Sequence, residues 1–183
     1  MHLTLPTWLT LARIAMVPVF VAAFFLPVES ANVICTALFA AAALTDWLDG
    51  WLARRLGQTS DFGAFLDPVA DKLMVAAALV LLVEADPTPW IGVPAVGIIG
   101  REIAISALRE WMAQIGSRAT VAVSAVGKVK TALQMLALLL LYHEPLWGLP
   151  TRTLGIVALV IAAVLTLWTM LVYLAAAWRV LNK

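Results

Sequence analysis

The sequence predicts an all-α integral membrane protein, with six transmembrane helices around a polar cavity that opens to the cytosol. Its 183 residues are 63% hydrophobic, with a mean hydropathy of +0.98, which soluble domains of this length do not show. Six apolar segments reach the roughly 20 residues that a helix needs to cross a bilayer. Positive charges gather at one end of these segments, which indicates a consistent orientation in the membrane.

Apolar runs and the breakers between them predict the six helices. The first ends before Pro27, and the third ends before the Asp86–Pro89 segment, because proline cannot continue a helix. The predicted bounds are 8–26, 31–55, 62–83, 90–115, 119–142 and 151–180. Residues 1–7 are predicted to form a short interfacial segment, such as a short helix, before the first span. The whole chain, 1–183, is predicted to be one domain.

Loop charges predict the topology. The loops after the first, third and fifth helices carry one arginine, Arg152. The opposite ends carry Arg54, Arg55, Arg109, Arg118, Arg179 and Lys183. Since positive residues remain on the cytoplasmic side, both termini are predicted to be cytoplasmic. The N-terminal residues lack the features of a removable signal peptide, and a net charge of +1 without a basic run argues against a nucleic-acid partner.

Ten charged residues lie well inside the predicted spans, in their cytoplasmic halves. A charge near the bilayer centre costs about 2.5–3.5 kcal/mol on insertion scales, so such residues usually face a cavity and mark a site. They are Arg13, Asp46, Asp49, Asp67, Asp71, Lys72, Arg101, Glu102, Lys128 and Lys130. We therefore expect them to converge on one polar cavity.

The second helix carries the first half of an acidic site. At about 100° per residue, its polar and small residues share one arc of roughly 140°. These are Asp46, Asp49, Gly50, Ala53 and Arg54. The intervening residues, Trp47, Leu48, Trp51 and Leu52, point elsewhere and are expected to face lipid or neighbouring helices.

The third helix carries the second half. Gly63, Asp67 and Asp71 are spaced i, i+4, i+8 and form one stripe. A short loop joins this helix to the second, so the two are expected to be antiparallel neighbours with facing acidic stripes. Lys72 points about 100° away from Asp71, and it either snorkels to the interface or contributes to the site.

Four facing carboxylates repel one another unless cations lie between them. Hard divalent cations prefer oxygen ligands, and four carboxylates suit two ions better than one, so Mg²⁺ or Mn²⁺ is predicted. Such a pair promotes displacement at phosphorus. Small residues on the stripes let a bulky ligand approach the backbone, and Arg54 suits a phosphate. Ion pairing that serves only membrane insertion is the alternative, which four aspartates on two stripes disfavour.

Residues 46–71 resemble the signature of the CDP-alcohol phosphatidyltransferase family, Asp-x2-Asp-Gly-x2-Ala-Arg-x8-Gly-x3-Asp-x3-Asp. All eight fixed positions are met, at Asp46, Asp49, Gly50, Ala53, Arg54, Gly63, Asp67 and Asp71. Segments 6–13, 63–72, 101–112 and 123–131 extend the resemblance over most of the chain.

The resemblance implies a six-helix homodimer in the bacterial cytoplasmic membrane. It also implies two divalent metals and transfer of a phosphatidyl group from CDP-diacylglycerol to an alcohol, with release of CMP. Carried over by position, Asp46, Asp49 and Asp67 would be metal ligands. Asp71 would complete the metal site and is the candidate general base. The CDP-diacylglycerol pocket would be lined by Gly50, Ala53, Arg54 and Gly63.

The acceptor favoured by the resemblance is sn-glycerol 3-phosphate, whose phosphate needs cations of its own. Helices four and five supply Arg101, Arg109, Arg118, Lys128 and Lys130. Arg101 and Lys128 are preferred because they lie inside spans, with partnership to a carboxylate such as Glu102 as the alternative. For Arg109 and Arg118 the alternative is a topology-setting loop charge. Arg13 lies near the start of the first helix. It is expected either to cap the cavity or to be a charge that only sets the topology.

Other functions predict other patterns. A divalent-cation transporter needs polar residues along its whole path, whereas segments 33–44 and 74–83 are apolar. A purely structural membrane subunit does not need the eight-position signature. Within the enzyme class, inositol phosphate, serine or phosphatidylglycerol stays open as the acceptor, and the basic helices favour a phosphorylated one over serine.

Overall fold

The computed structural model is helical over nearly all of the residues that it describes, which are 5–56, 61–114, 125–142 and 150–181. The helices are α1 Leu5–Phe24, α2 Ala31–Leu56, α3 Asp61–Ala85, α4 Pro89–Gln114, α5 Ala125–Tyr142 and α6 Thr151–Leu181. The predicted all-α class and the six predicted helices are confirmed.

The start of α1 differs from the prediction. The helix begins at Leu5, so residues 5–7 form its first turn and not a separate segment, while their position at the membrane interface stays a prediction. Pro6 is compatible with this position because the first turn leaves backbone N–H groups without helical partners. Thr7 is buried, so the turn packs into the bundle. Residues 1–4, and the predicted start of the fifth helix at Ala119, lie outside the described residues.

Among the described residues, four helices are long and apolar enough to cross a membrane: α1, α2, α4 and α6. In α3 the apolar sequence is interrupted by Asp67, Asp71 and Lys72. The apolar part of α5, Val129–Tyr142, is shorter than a full span. The chain is therefore a multi-pass membrane protein, and membrane crossing by α3 and α5 stays a prediction.

An apolar core fixes the helices at the end of the bundle away from the charges. Phe20, Phe39 and Tyr142 are buried there, and the rings of Phe20 and Tyr142 lie 5.3 Å apart at a steep angle. The Tyr142 hydroxyl donates a 2.7 Å hydrogen bond to the carbonyl oxygen of Ala78. These contacts join α1, α2, α3 and α5, and so determine how their charged halves meet.

The packing of α1 corrects the predicted pairing of α2 with α3. α1 packs extensively against both helices, whereas α2 and α3 touch each other far less. The acidic stripes therefore face α1 as well as each other. The physical reason is that α1 presents the polar series Thr7, Thr10 and Arg13, which can hydrogen-bond to carboxylates that would otherwise repel one another.

Candidate active site

Three of the four predicted aspartates converge on a single arginine. Arg13 Nη1 donates to Asp46 Oδ1 at 2.8 Å and to Asp71 Oδ1 at 2.7 Å. Arg13 Nη2 donates to Asp49 Oδ2. Because Arg13 is only 1% exposed, one buried guanidinium ties α1 to carboxylates from both α2 and α3. Arg13 lies in the middle of the acidic site and does not cap it from outside.

The fourth aspartate is held by the same face of α1. Thr10 Oγ1 donates a 2.6 Å hydrogen bond to Asp67 Oδ1. Thr10 precedes Arg13 by three residues, so the two side chains lie on one helix face. The sequence reasoning missed Thr10, although a signal was present: Thr7, Thr10 and Arg13 recur every third residue in an otherwise apolar helix.

The donor chemistry of this carboxylate cluster, defined as Asp46, Asp49, Asp67 and Asp71, fits hard divalent cations. All of its ligand atoms are carboxylate oxygens, which Mg²⁺ and Mn²⁺ prefer, and three of the four carboxylates already surround one positive group. Within the described ranges, no three acidic, histidine or cysteine side chains are arranged around a common metal position. Arg13 and Thr10 engage the oxygens that such ions would use.

The outer face of α2 agrees with the helical prediction. Trp47 is 63% exposed, and Leu48 and Trp51 are also exposed, whereas Asp49 is buried. Gly63 on α3 is also buried, one helical turn before Asp67. The side chains at the remaining predicted CDP-diacylglycerol positions, Gly50, Ala53 and Arg54, lie outside the described residues, so their role stays a prediction.

A cavity of about 630 Å³ adjoins the cluster between α3, α4 and α5. Its volume is typical of a small-molecule site. Its polar lining consists of Asp71, Lys72, Glu102, Ser106, Lys130, Thr131 and Gln134. Apolar residues such as Val75, Ile98 and Ile103 form the rest of the wall. Asp71 thus belongs both to the cavity and to the carboxylate cluster.

On the α4–α5 side of this cavity, one carboxylate meets two cations. Glu102 Oε1 lies 2.6 Å from Arg101 Nη1 and 3.3 Å from Lys130 Nζ. Arg101 and Lys130 are both buried. The alternative interpretation of Arg101, partnership with Glu102, is therefore the one that the structure shows, and Lys130 shares that partner. The group of Glu102, Arg101 and Lys130 is called the basic cluster below.

The other predicted acceptor-binding residues are placed differently. Arg109 is exposed, with its guanidinium carbon 5.4 Å from the ring centre of Tyr173 and Nη2 donating to the Tyr173 hydroxyl at 3.4 Å. Arg101 also approaches this ring, at 5.9 Å. Arg109 and Arg101 thus both contact Tyr173. The Lys128 side chain and all of Arg118 lie outside the described residues.

Lys72 turns into the cavity. Its Nζ donates to Ser106 Oγ, and that hydroxyl donates to the carbonyl oxygen of Glu102 at 2.6 Å. Of its two sequence-based interpretations, snorkelling and participation in the site, the position in the cavity agrees with the second. Ser106 and Gln134 were missed, because an isolated polar residue in a span gives only a weak signal before its neighbours are known.

Comparison with known proteins identifies the family to which the chain belongs. The family model for CDP-alcohol phosphatidyltransferase matches residues 3–177. A protein of Sodalis glossinidius is 58% identical over 177 residues, which cover 97% of this chain and 96% of the relative. A protein of Yersinia enterocolitica is 55% identical over 179 residues, which cover 98% and 97%. Both relatives are named CDP-diacylglycerol–glycerol-3-phosphate 3-phosphatidyltransferase. A match of this extent, together with the complete signature at residues 46–71, shows that the chain belongs to the CDP-alcohol phosphatidyltransferase family.

Proposed function

We propose that this chain transfers the phosphatidyl group of CDP-diacylglycerol to sn-glycerol 3-phosphate, forming phosphatidylglycerophosphate and CMP. The observation that carries the proposal is the double position of Asp71, which hydrogen-bonds within the carboxylate cluster and also lines the cavity beside Lys72 and Lys130. A base and two cations therefore line the same cavity. The names of the near full-length relatives support the same substrates.

The family generally depends on divalent cations, and the proposal assigns two Mg²⁺ or Mn²⁺ ions to this chain. Asp46, Asp49, Asp67 and Asp71 would hold them. When bound, they supply positive charge that neutralises the pyrophosphate of the donor and the charge that develops on the departing CMP. Arg13 contributes the fixed positive charge that keeps three of these carboxylates together.

The chemical step is a displacement at the phosphorus that carries the diacylglycerol. The primary hydroxyl of the acceptor forms a new oxygen–phosphorus bond, and the bond to the bridging oxygen of CMP breaks, so CMP leaves with that electron pair. Asp71 accepts the hydroxyl proton as the general base. Its side chain is 44% exposed although it pairs with Arg13, so part of the carboxylate can be reached by an acceptor. Gly50, Ala53, Arg54 and Gly63 are the proposed contacts to the donor.

The proposed setting is the bacterial cytoplasmic membrane with both termini in the cytoplasm. A site in the cytoplasmic halves of the helices lets a soluble acceptor enter from water while the lipid donor enters from the bilayer. Arg101 and Lys130, with Lys128, Arg109 and Arg118, are proposed to supply the positive field for the acceptor. A homodimer is part of the proposal, supported by the family resemblance.

The test is CMP release by the purified protein in mixed micelles with CDP-diacylglycerol and Mg²⁺, with one alcohol offered at a time. We expect glycerol 3-phosphate to be the best acceptor, ahead of inositol phosphate, serine and phosphatidylglycerol. Asp71→Asn, a near-isosteric control without a base, should insert and fold but release almost no CMP. Faster release with serine or another of these alcohols would overturn the assigned acceptor, and no release with any of them would overturn the reaction.

A further inference from the structure

We propose that Lys72, oriented by Ser106, is the residue that anchors the phosphate of the acceptor in the cavity between α3, α4 and α5. The inference rests on the proposed function, since it concerns the acceptor of that reaction. It also places Lys72 ahead of Arg101 and Lys130 as the contact to the acceptor phosphate. Because Arg101 and Lys130 already pair with the Glu102 carboxylate, we expect Lys72 to make the main contact with the acceptor phosphate.

Among the described cations that line the cavity, Lys72 and Lys130, the ion pairs distinguish Lys72. Arg13 pairs with aspartates, Arg101 and Lys130 pair with Glu102, and Arg152 pairs with Asp86. In the described part of the chain, Lys72 contacts the neutral hydroxyl of Ser106 and has no carboxylate partner. A half-buried ammonium group beside apolar walls is costly unless an anion joins it. Its position therefore favours the binding of an anion from the cavity.

Ser106 fixes the direction of Lys72. The Ser106 hydroxyl donates to the carbonyl oxygen of Glu102 at 2.6 Å, which leaves its lone pairs for the Lys72 ammonium. Ser106 lies one helical turn after Glu102, whose carboxylate holds Lys130. One turn of α4 thus directs Lys72 from α3 and Lys130 from α5 toward the same cavity, which both lysines line.

The position of Lys72 also suits the length of the acceptor. Lys72 follows Asp71 in the chain, and adjacent Cα atoms lie about 3.8 Å apart. In glycerol 3-phosphate, a three-carbon chain joins the phosphate to the reacting hydroxyl. The inference therefore places the phosphate at Lys72 and the hydroxyl toward Asp71, two residues that line the same cavity. The rest of the 630 Å³, with walls such as Val75 and Ile103, leaves room for an apolar part of the lipid donor.

The experiment compares the KM for each substrate in the wild-type holoenzyme and in Lys72→Gln, with Mg²⁺ present. We expect the KM for glycerol 3-phosphate to rise about tenfold or more, as the loss of a hydrogen bond between charged groups predicts. The KM for CDP-diacylglycerol should change less than about twofold, and Lys72→Arg should restore most of the acceptor affinity. An equal rise in both KM values, or a fall in kcat alone, would overturn the inference.

Two further measurements separate anchoring from a structural role. Ser106→Ala should weaken competitive inhibition by inorganic phosphate against glycerol 3-phosphate several-fold, because Lys72 loses its orienting partner. This variant keeps the ammonium group, so it also tests the inference if Lys72→Gln does not fold. Arg152→Gln, which removes an exposed arginine at the opposite end of the bundle, should change neither KM. Unchanged phosphate inhibition in Ser106→Ala would contradict the orienting role of the serine.

The outcomes distinguish this inference from the proposed function. If the wild type prefers another phosphorylated alcohol, the proposed acceptor is overturned. A raised KM for that alcohol in Lys72→Gln would still support a phosphate site at Lys72. If glycerol 3-phosphate is the acceptor and Lys72→Gln leaves its KM unchanged, only the Lys72 inference is overturned.

Discussion

The carboxylate cluster and the basic cluster have opposite compositions. In the first, a single cation, Arg13, meets three aspartates, whereas in the second a single carboxylate, Glu102, meets two cations. The first therefore carries surplus negative charge and the second surplus positive charge. This difference agrees with the proposal that a ligand of the opposite sign completes each cluster: divalent cations at the carboxylate cluster, and at the basic cluster the phosphate that Lys72 is proposed to anchor.

The two clusters meet on α3. Asp71 bonds to Arg13, and its neighbour Lys72 reaches Ser106 on the helix that carries Glu102. The donor pyrophosphate and the acceptor phosphate repel each other, so a site for both needs positive charge at two separate places. The adjacent residues Asp71 and Lys72 bring these places together where the reaction would occur.

The largest expected effect comes from removing one charge of the carboxylate cluster. Asp67→Asn should lower CMP release roughly 10³-fold with every acceptor, because a neutral amide is a poor ligand for a hard cation. Thr10 can still donate to the amide oxygen in place of the carboxylate, so the protein should keep its melting temperature. More than a tenth of the wild-type turnover would contradict the metal-ligand role of Asp67.

Removing the shared cation should destabilise the protein itself. Arg13→Gln leaves three aspartates without their guanidinium, and breaking a buried ion pair from one side costs about 3–5 kcal/mol. Thermal unfolding in detergent with a chelator should show the loss, and millimolar Mg²⁺ should restore part of it. A melting temperature equal to that of the wild type in the chelator would refute the role assigned to Arg13.

Removing the shared carboxylate of the basic cluster should also destabilise the protein, but the ligand that restores its stability should be an anion. Glu102→Gln leaves Arg101 and Lys130 without a carboxylate, at a cost of about 1–3 kcal/mol because Glu102 is only partly buried. Here inorganic phosphate, and not Mg²⁺, should restore the melting temperature. Restoration by Mg²⁺ alone would mean that the two clusters do not differ in the way their charges indicate.

The smallest effect is expected at the exposed pair of Arg152 and Asp86. Arg152 donates to Asp86 at 2.6 and 2.9 Å, but its side chain is 63% exposed. Exposed pairs contribute about 0–1 kcal/mol, so Arg152→Ala should leave CMP release unchanged and the melting temperature nearly so. A large loss of CMP release or of melting temperature in Arg152→Ala would contradict the view that the two clusters, and not the exposed ion pairs, determine activity and stability.

Local patterns in the sequence were sufficient for the helices and for the acidic stripes. Pro27 and the Asp86–Pro89 segment mark helix ends, and the i, i+4 spacing places Asp67 and Asp71 on one face. Spacing along one helix does not determine which helix packs against it. The insertion of α1, with Arg13 among the aspartates, therefore could not be predicted.

The same limit applies to the cations. Arg101, Lys130 and Lys72 are equivalent as charges inside spans, and only their partners distinguish them. Glu102 neutralises part of the charge of the first two, while Ser106 leaves the charge of Lys72 uncompensated. Partners that come from different helices are a property of packing, which the order of residues does not reveal.

The most direct test of the opposite roles of the clusters is a Mn²⁺ titration of the purified protein, with free Mn²⁺ followed by electron paramagnetic resonance. We expect the wild type and Glu102→Gln to bind about two ions per chain with equal affinity, and Asp67→Asn to bind at least about tenfold more weakly. Absence of saturable binding in the wild type, or an equal loss of affinity in Glu102→Gln and Asp67→Asn, would contradict the assignment of the carboxylate cluster as the metal site.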